Sequence, residues 1–199
     1  MPQIQGLGPK ENTLYEMFFN RAKQQPDSAF IWTKKENEWK SHSWGQIANQ
    51  VKIIASALAQ RGITAGARVA ILSENRVEWI ITDLAIMSIG AISVPLFTTY
   101  TQTDITYLLS HSGARAIICS NSELTAIAET AAQDSPDCYL MVIMEQSKLL
   151  HHSHNLAIVN WEDLIKEGEE ASSNTFISSL PMSVDDVCCI IYTSDGDEK

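Results

Sequence analysis

Four short apolar runs punctuate the middle of this chain, and none of them alternates between apolar and polar residues. They are residues 69–72, 91–97, 116–119 and 139–144. A strand with one wet face shows a period of two, whereas an unbroken apolar run is what a strand covered on both faces looks like. The segments between the runs have helical spacing. Parallel strands need long crossover connections, and a helix between successive strands supplies them. The alternation therefore predicts an α/β fold, a mostly parallel sheet flanked by helices.

The helices carry their own punctuation. Ser43 with Gln46 three residues later is a capping-box signature, and it opens a segment with Ile47, Val51, Ile54 and Leu58 on one face. Gly62 sits where a left-handed residue closes that helix. Asn75 with Glu78 is expected to cap a helix over 76–89, apolar almost all round and therefore buried. Residues 103–110 read as a helix closed near Gly113. Ser122 is expected to cap 123–132, which Ser135-Pro136 ends.

Ahead of this block, Leu14, Met17, Phe18 and Ala22 recur at helical spacing up to Gln25-Pro26-Asp27. Residues 29–33 and 39–42 form a β-hairpin with its turn near Glu36-Asn37. Behind the block come a polar loop over 145–155, a short strand at 157–159, a helix over 162–169 and a Ser-rich connector over 171–183. Residues 1–12 are expected to be a flexible arm, and 13–199 a single domain.

The balance of charge narrows the partners. A formal net charge of −10 over 199 residues leaves no basic footprint for nucleic acid. No amphipathic basic helix marks a membrane surface, and no apolar stretch is long and clean enough to span one. The N-terminal residues lack the apolar core of a secretory signal. Four cysteines, Cys119, Cys138, Cys188 and Cys189, show no C-x-x-C spacing. They are expected to be small core residues in a reducing compartment, which makes the cytoplasm the expected address.

Several polar clusters invite chemistry and are outweighed by solvation. His151, His152 and His154 share a polar loop with no Cys or carboxylate at ligand spacing, so no metal site is expected. Glu162, Asp163, Glu167, Glu169 and Glu170 form a solvated helix face. His42 and His111 are expected at caps or on the surface. Trp79 and the run after it read as core rather than as a ligand groove.

The last apolar run, 187–192, leads into Thr193-Ser194-Asp195-Gly196-Asp197-Glu198-Lys199. A small, hydroxyl-bearing, Gly-containing loop leaving a buried strand suits phosphate, because hydroxyls and backbone N–H groups converge there. A frayed acidic tail after the last strand fits the same residues.

Taken together, four segments in order resemble the adenylate-forming superfamily, most closely the long-chain fatty acyl-CoA synthetases. They are residues 66–79 (GARVAILSENRVEW), 83–96 (DLAIMSIGAISVPL), 107–115 (YLLSHSGAR) and 190–194 (IIYTS). The resemblance implies a reaction in which ATP and a fatty acid give an acyl-adenylate and pyrophosphate, with the acyl group passing to coenzyme A. Two anions must meet in that reaction, so hydroxyls, backbone N–H groups, Mg²⁺ and a lysine supply the compensating positive potential.

The family's phosphate loop has the form Tyr-Thr-Ser-Gly-Thr-Thr-Gly-x-Pro-Lys-Gly. By that resemblance Tyr192, Thr193, Ser194, Gly196 and Lys199 are the nucleotide-binding candidates, Lys199 only if a gap is allowed. Asp195 stands where the family has glycine, and Asp197 and Glu198 fall among phosphate-facing positions. A carboxylate 4–6 Å from a phosphate charge costs roughly 3–4 kcal/mol at an effective dielectric near 20. The resemblance implies that the family's other nucleotide-binding segments, its metal-holding glutamate and its mobile C-terminal domain lie downstream. The expectation is a partial domain, truncated within the phosphate loop and inactive alone. The alternatives are one half of a split synthetase completed by a second chain, or a non-catalytic nucleotide- or acyl-binding module.

Overall fold

The computed structural model describes residues 13–145, 155–172 and 183–193. The expected arm, the three loop histidines and residues 173–182 of the connector lie outside them. Helix α1 (Leu14–Gln24) starts at Thr13, whose hydroxyl accepts the Glu16 backbone N–H at 3.1 Å. Strands β1 (Ala29–Lys35) and β2 (Glu38–Ser43) then pair antiparallel. The turn falls at Glu36 and Asn37, with φ of 50° and 67°. Two successive left-handed residues give the turn whose twist matches that of the flanking strands.

Ser43 ends β2 and caps α2 (Trp44–Gln60), with both halves of the capping box formed. Ile47, Val51, Ile54 and Leu58 are all buried along its inner face. Five strands follow: β3 (Arg68–Leu72), β4 (Ile92–Leu96), β5 (Ala114–Cys119), β6 (Leu140–Ile143) and β7 (Ala157–Asn160). They form one parallel sheet in the order β4-β3-β5-β6-β7.

That order explains the layers. The chain steps outward from β3 to β4 through α3 (Val77–Ser88), then reverses, crossing to β5 through α4 (Gln102–Ser112) and to β6 through α5 (Ser122–Gln133). Right-handed crossovers travelling in opposite directions place their helices on opposite faces. Buried side chains divide accordingly. Val69, Ile71, Ala116, Ile118, Leu140 and Val142 join the core under α2, α3 and α6 (Trp161–Ser172). Their neighbours Ala70, Leu72, Ile117, Cys119, Met141 and Ile143 join a second core under α4 and α5. Unbroken apolar runs are thus used on both faces.

Two helix starts differ from expectation. The side chain that caps α5 belongs to Asn121, which accepts the Leu124 N–H at 2.9 Å, and Ser122 is the first helical residue. Asn and Ser are near-equal caps, so type alone could not choose between adjacent positions. At α3 the N-cap is Arg76, with no side-chain cap bond, and Asn75 plays no capping part. Arg76 instead reaches Glu78 at 2.8 Å. The C-terminus of α4 closes at left-handed Gly113, where Arg68 donates to the carbonyls of Ser112 (2.6 Å) and Gly113 (2.9 Å).

The run 187–192 departs most. Expected as a strand buried on both faces, it touches the sheet at one parallel bridge, Cys189 with Ser93 of β4. The Ser93 N–H donates to the Cys188 carbonyl at 3.0 Å, and the Ile190 N–H donates to the Ser93 carbonyl at 2.9 Å. The next rung would need an N–H from Pro95, which has none. Val187 and Ile191 stay 60% and 71% exposed, and among the described residues no strand pairs the outer side of this segment.

Candidate functional site

The bridge at Ser93 sets where the candidate loop begins. Beyond it, Ile190 and Tyr192 lie against the core under α4 and α5, while the Thr193 side chain is exposed. The Tyr192 phenol makes a 2.8 Å hydrogen bond with His111 Nδ1 at the end of α4. The His111 ring meets Tyr192 edge-on at 5.7 Å and stacks on Tyr107 at 5.4 Å. Burial raises the Tyr192 phenol above its ordinary value, and Tyr107 adds to the effect while the Ser112 hydroxyl opposes it. His111, expected as a surface residue, is exposed and also ties the candidate loop to α4.

Of the five candidate residues the structure thus places Tyr192 and Thr193 together at the edge of β4. Ser194, Gly196 and Lys199 lie outside the described residues. Tyr192 is engaged through its hydroxyl, whereas the Thr193 side chain is exposed. Among the described residues no group of three or more His, Cys, Asp or Glu is placed to hold a metal ion.

Ser93 supports the bridge from below. It is fully buried, and its hydroxyl lies 3.4 Å from the Cys188 carbonyl. Asp83 of α3 faces it; burial raises this carboxyl, and the Ser93 hydroxyl, bonding to the charged form, opposes the rise. The cysteines divide by depth. Cys119 and Cys138 are buried as expected, but Cys188 is exposed and Cys189 half-buried, because the edge position leaves one side of the segment open. Burial pushes the Cys138 thiol up to about 12, raises Cys119 further, and raises Cys189 as well. Since only the thiolate alkylates, brief iodoacetamide treatment at pH 8 is expected to modify Cys188 first and Cys189 more slowly. Cys119 and Cys138 should react only after unfolding, which mass spectrometry of the labelled chain would check.

A polar network that the sequence did not announce occupies the crevice beyond β3 and β5, where the strand order reverses. Open α/β sheets commonly bind ligands at such a point. Here Arg76 meets Glu78 at 2.8 Å, Glu145 at 3.1 Å and Glu74 at 3.6 Å, and Ser120 donates to Glu74. Burial, the largest single influence, would raise the Glu78 carboxyl; the Arg76 hydrogen bond, a backbone hydrogen bond and the charges of Arg76 and His42 together outweigh it and hold the carboxyl low. One guanidinium among three carboxylates has no positive charge left for a phosphate. The crevice is therefore a structural clasp between β3, β5 and β6.

An apolar hollow of about 780 Å³ lies beside the terminal segment, lined by Leu14, Tyr15, Met87, Ile92, Val184 and Val187 among others. Its only charged lining side chain among the described residues is Asp186, so it offers no cation to a carboxylate ligand. Trp79 packs on the core as expected.

Comparison with known proteins places the chain in a family. Residues 18–195 match the family described as AMP-binding enzyme. A fatty acyl-CoA synthetase A of Dictyostelium discoideum is 28% identical over 193 residues, covering 93% of this chain and 28% of that protein. A peroxisomal long chain acyl-CoA synthetase of Arabidopsis thaliana is 26% identical, over 94% of this chain and 27% of its own. Coronafacic acid ligase of Pectobacterium brasiliense superposes with a TM-score of 0.76 at 21% identity, over 92% of this chain and 33% of that one. The chain spans about a third or less of each of these three proteins. With the family match covering most of its length, the chain belongs to the AMP-binding enzymes.

Proposed function

We propose that this chain is the opening part of the adenylate-forming domain of a long-chain fatty acid–CoA ligase, and that it does not turn over alone. In that reading ATP, a fatty acid and coenzyme A are the substrates of the complete assembly, with Mg²⁺ on the phosphates. The observation that carries it is the Ser93–Cys189 bridge, which sets Tyr192-Thr193, the start of the family's phosphate loop, at the sheet edge. The support for a long-chain acyl substrate is that the Dictyostelium relative is described as a fatty acyl-CoA synthetase and the Arabidopsis one as a long chain acyl-CoA synthetase. The free cysteines and the buried thiols fit a reducing compartment, and the cytoplasm is proposed on that ground. No helix among the described residues is long and apolar enough to cross a membrane.

A second reading, a synthetase completed by a separate chain, is favoured by the exposed apolar side of 187–191. A row of unpaired backbone groups beside exposed Val187 and Ile191 is a template for another strand. The test of the main reading is pyrophosphate release by the pure chain with ATP, Mg²⁺, coenzyme A and palmitate. No release above a heat-denatured control is expected, and sustained turnover would overturn the claim of incompleteness.

A further inference from the structure

We propose that one face of the β1–β2 hairpin docks on an anionic lipid bilayer through Trp32 and Trp39. The two residues are seven apart in sequence, and the hairpin register brings them to one face. Trp39 pairs with Lys34, and Trp32, two residues before Lys34 on the same strand, pairs with Ser41. Their side chains are 57% and 64% exposed. The base of the hairpin is fixed, because Phe30 stacks on Trp44 at 3.9 Å and both rings pack on Phe18. The tryptophans thus sit on an anchored, two-stranded projection.

The chemistry of the face chooses the occupant. An indole is flat, largely apolar and carries one N–H donor, which suits the boundary between headgroups and acyl chains. Lys34 shares this face, directly opposite Trp39, and the position opposite Trp32 adds only Ser41. The hairpin's acidic residues are elsewhere: Glu36 is in the turn, and Glu38 pairs with Lys35 on the opposite face. In a chain of net charge −10, a face with a cation and no carboxylate complements anionic headgroups. The same lysine argues against a second copy as the occupant, since two-fold pairing would bring like charges together. Read along the chain, this stretch shows no membrane signal, because Trp32 ends an apolar run of only four residues and Trp39 stands between Glu38 and Lys40.

This inference goes beyond the proposed ligase activity and does not depend on ATP. The test is co-sedimentation of the full chain with vesicles of phosphatidylcholine containing phosphatidylglycerol, with far-UV circular dichroism as the check on folding. Binding is expected, with each of Trp32→Ala and Trp39→Ala weakening it about tenfold. Lys34→Ala should weaken it about fivefold and reduce its salt dependence. Brominated lipid should quench emission of the native chain and leave the Trp32→Ala/Trp39→Ala variant, which keeps Trp44, Trp79 and Trp161, unquenched. Absence of binding would overturn the proposal, and so would equal binding by a folded double variant. A dimer in solution that disappears in that variant would also overturn it, by showing the face occupied by a second copy.

Discussion

Replacing Gly168 with alanine is expected to destabilise the chain by about 2–3 kcal/mol, against the usual gain of about 1 kcal/mol for alanine over glycine inside a helix. The reversal comes from the crossing of α6 over α2. A Cβ at Gly168 would meet the Ile53 carbonyl oxygen far inside contact distance, and the Ile53 carbonyl carbon and Cγ2 at 2.8 Å. Two of these atoms are backbone, so no rotamer change relieves the overlap. Next to it Arg61 holds Glu167 through two bonds of 2.8 Å and 2.6 Å. These side chains are partly exposed, so the pair sets the register of α6 on α2 more than it adds stability. The midpoint of urea unfolding measures the effect. A midpoint raised by Gly168→Ala would show that the two helices do not approach as described.

The second large effect tests the layers. Ile117 and Ile118 are adjacent on β5 and both fully buried, one in each core. Each substitution to alanine is expected to cost about 3 kcal/mol, within the range of buried isoleucine truncations. A sheet wet on one face would instead give one large loss and one near zero. The two losses should add, because the side chains occupy separate cores on opposite sides of the sheet. Equilibrium denaturation of the two single variants and the double variant provides the numbers. Near-neutrality of either single variant would remove one helix layer from the account.

The fold was legible because its signals were local and agreed with one another. The turn at Glu36-Asn37, the Ser43–Gln46 box, the left-handed Gly62 and Gly113, and the apolar runs each point to the same architecture. Helix starts were less legible where chemistry is degenerate. Asn121 and Ser122 are both good caps, and geometry gives the role to Asn121. Asn75 lost its expected role because the helix begins one residue later and Arg76 is committed to carboxylates.

The candidate site was legible only in part. Apolar content predicted burial for 187–192, but burial depends on what covers a strand, and Pro95 ends the ladder after one bridge. Neither that rung nor the Tyr192–His111 bond is visible in one dimension, since His111 lies 81 residues away. The Arg76 clasp was hidden for the same reason. Glu74 and Glu78 flank Arg76 in sequence, but Glu145 lies 69 residues away, and only the sheet order brings it to the guanidinium. The shared face of Trp32 and Trp39 is likewise set by the hairpin register.

In the proposed function, residues 14–193 form the scaffold on which an adenylate-forming site is completed. The most direct measurement grafts this segment onto the remainder of the Dictyostelium synthetase in place of the matching 28% of that protein. ATP-dependent pyrophosphate release that requires palmitate, exceeding that of the remainder alone, is the predicted result. A folded chimera that releases no more pyrophosphate than the remainder alone would contradict it.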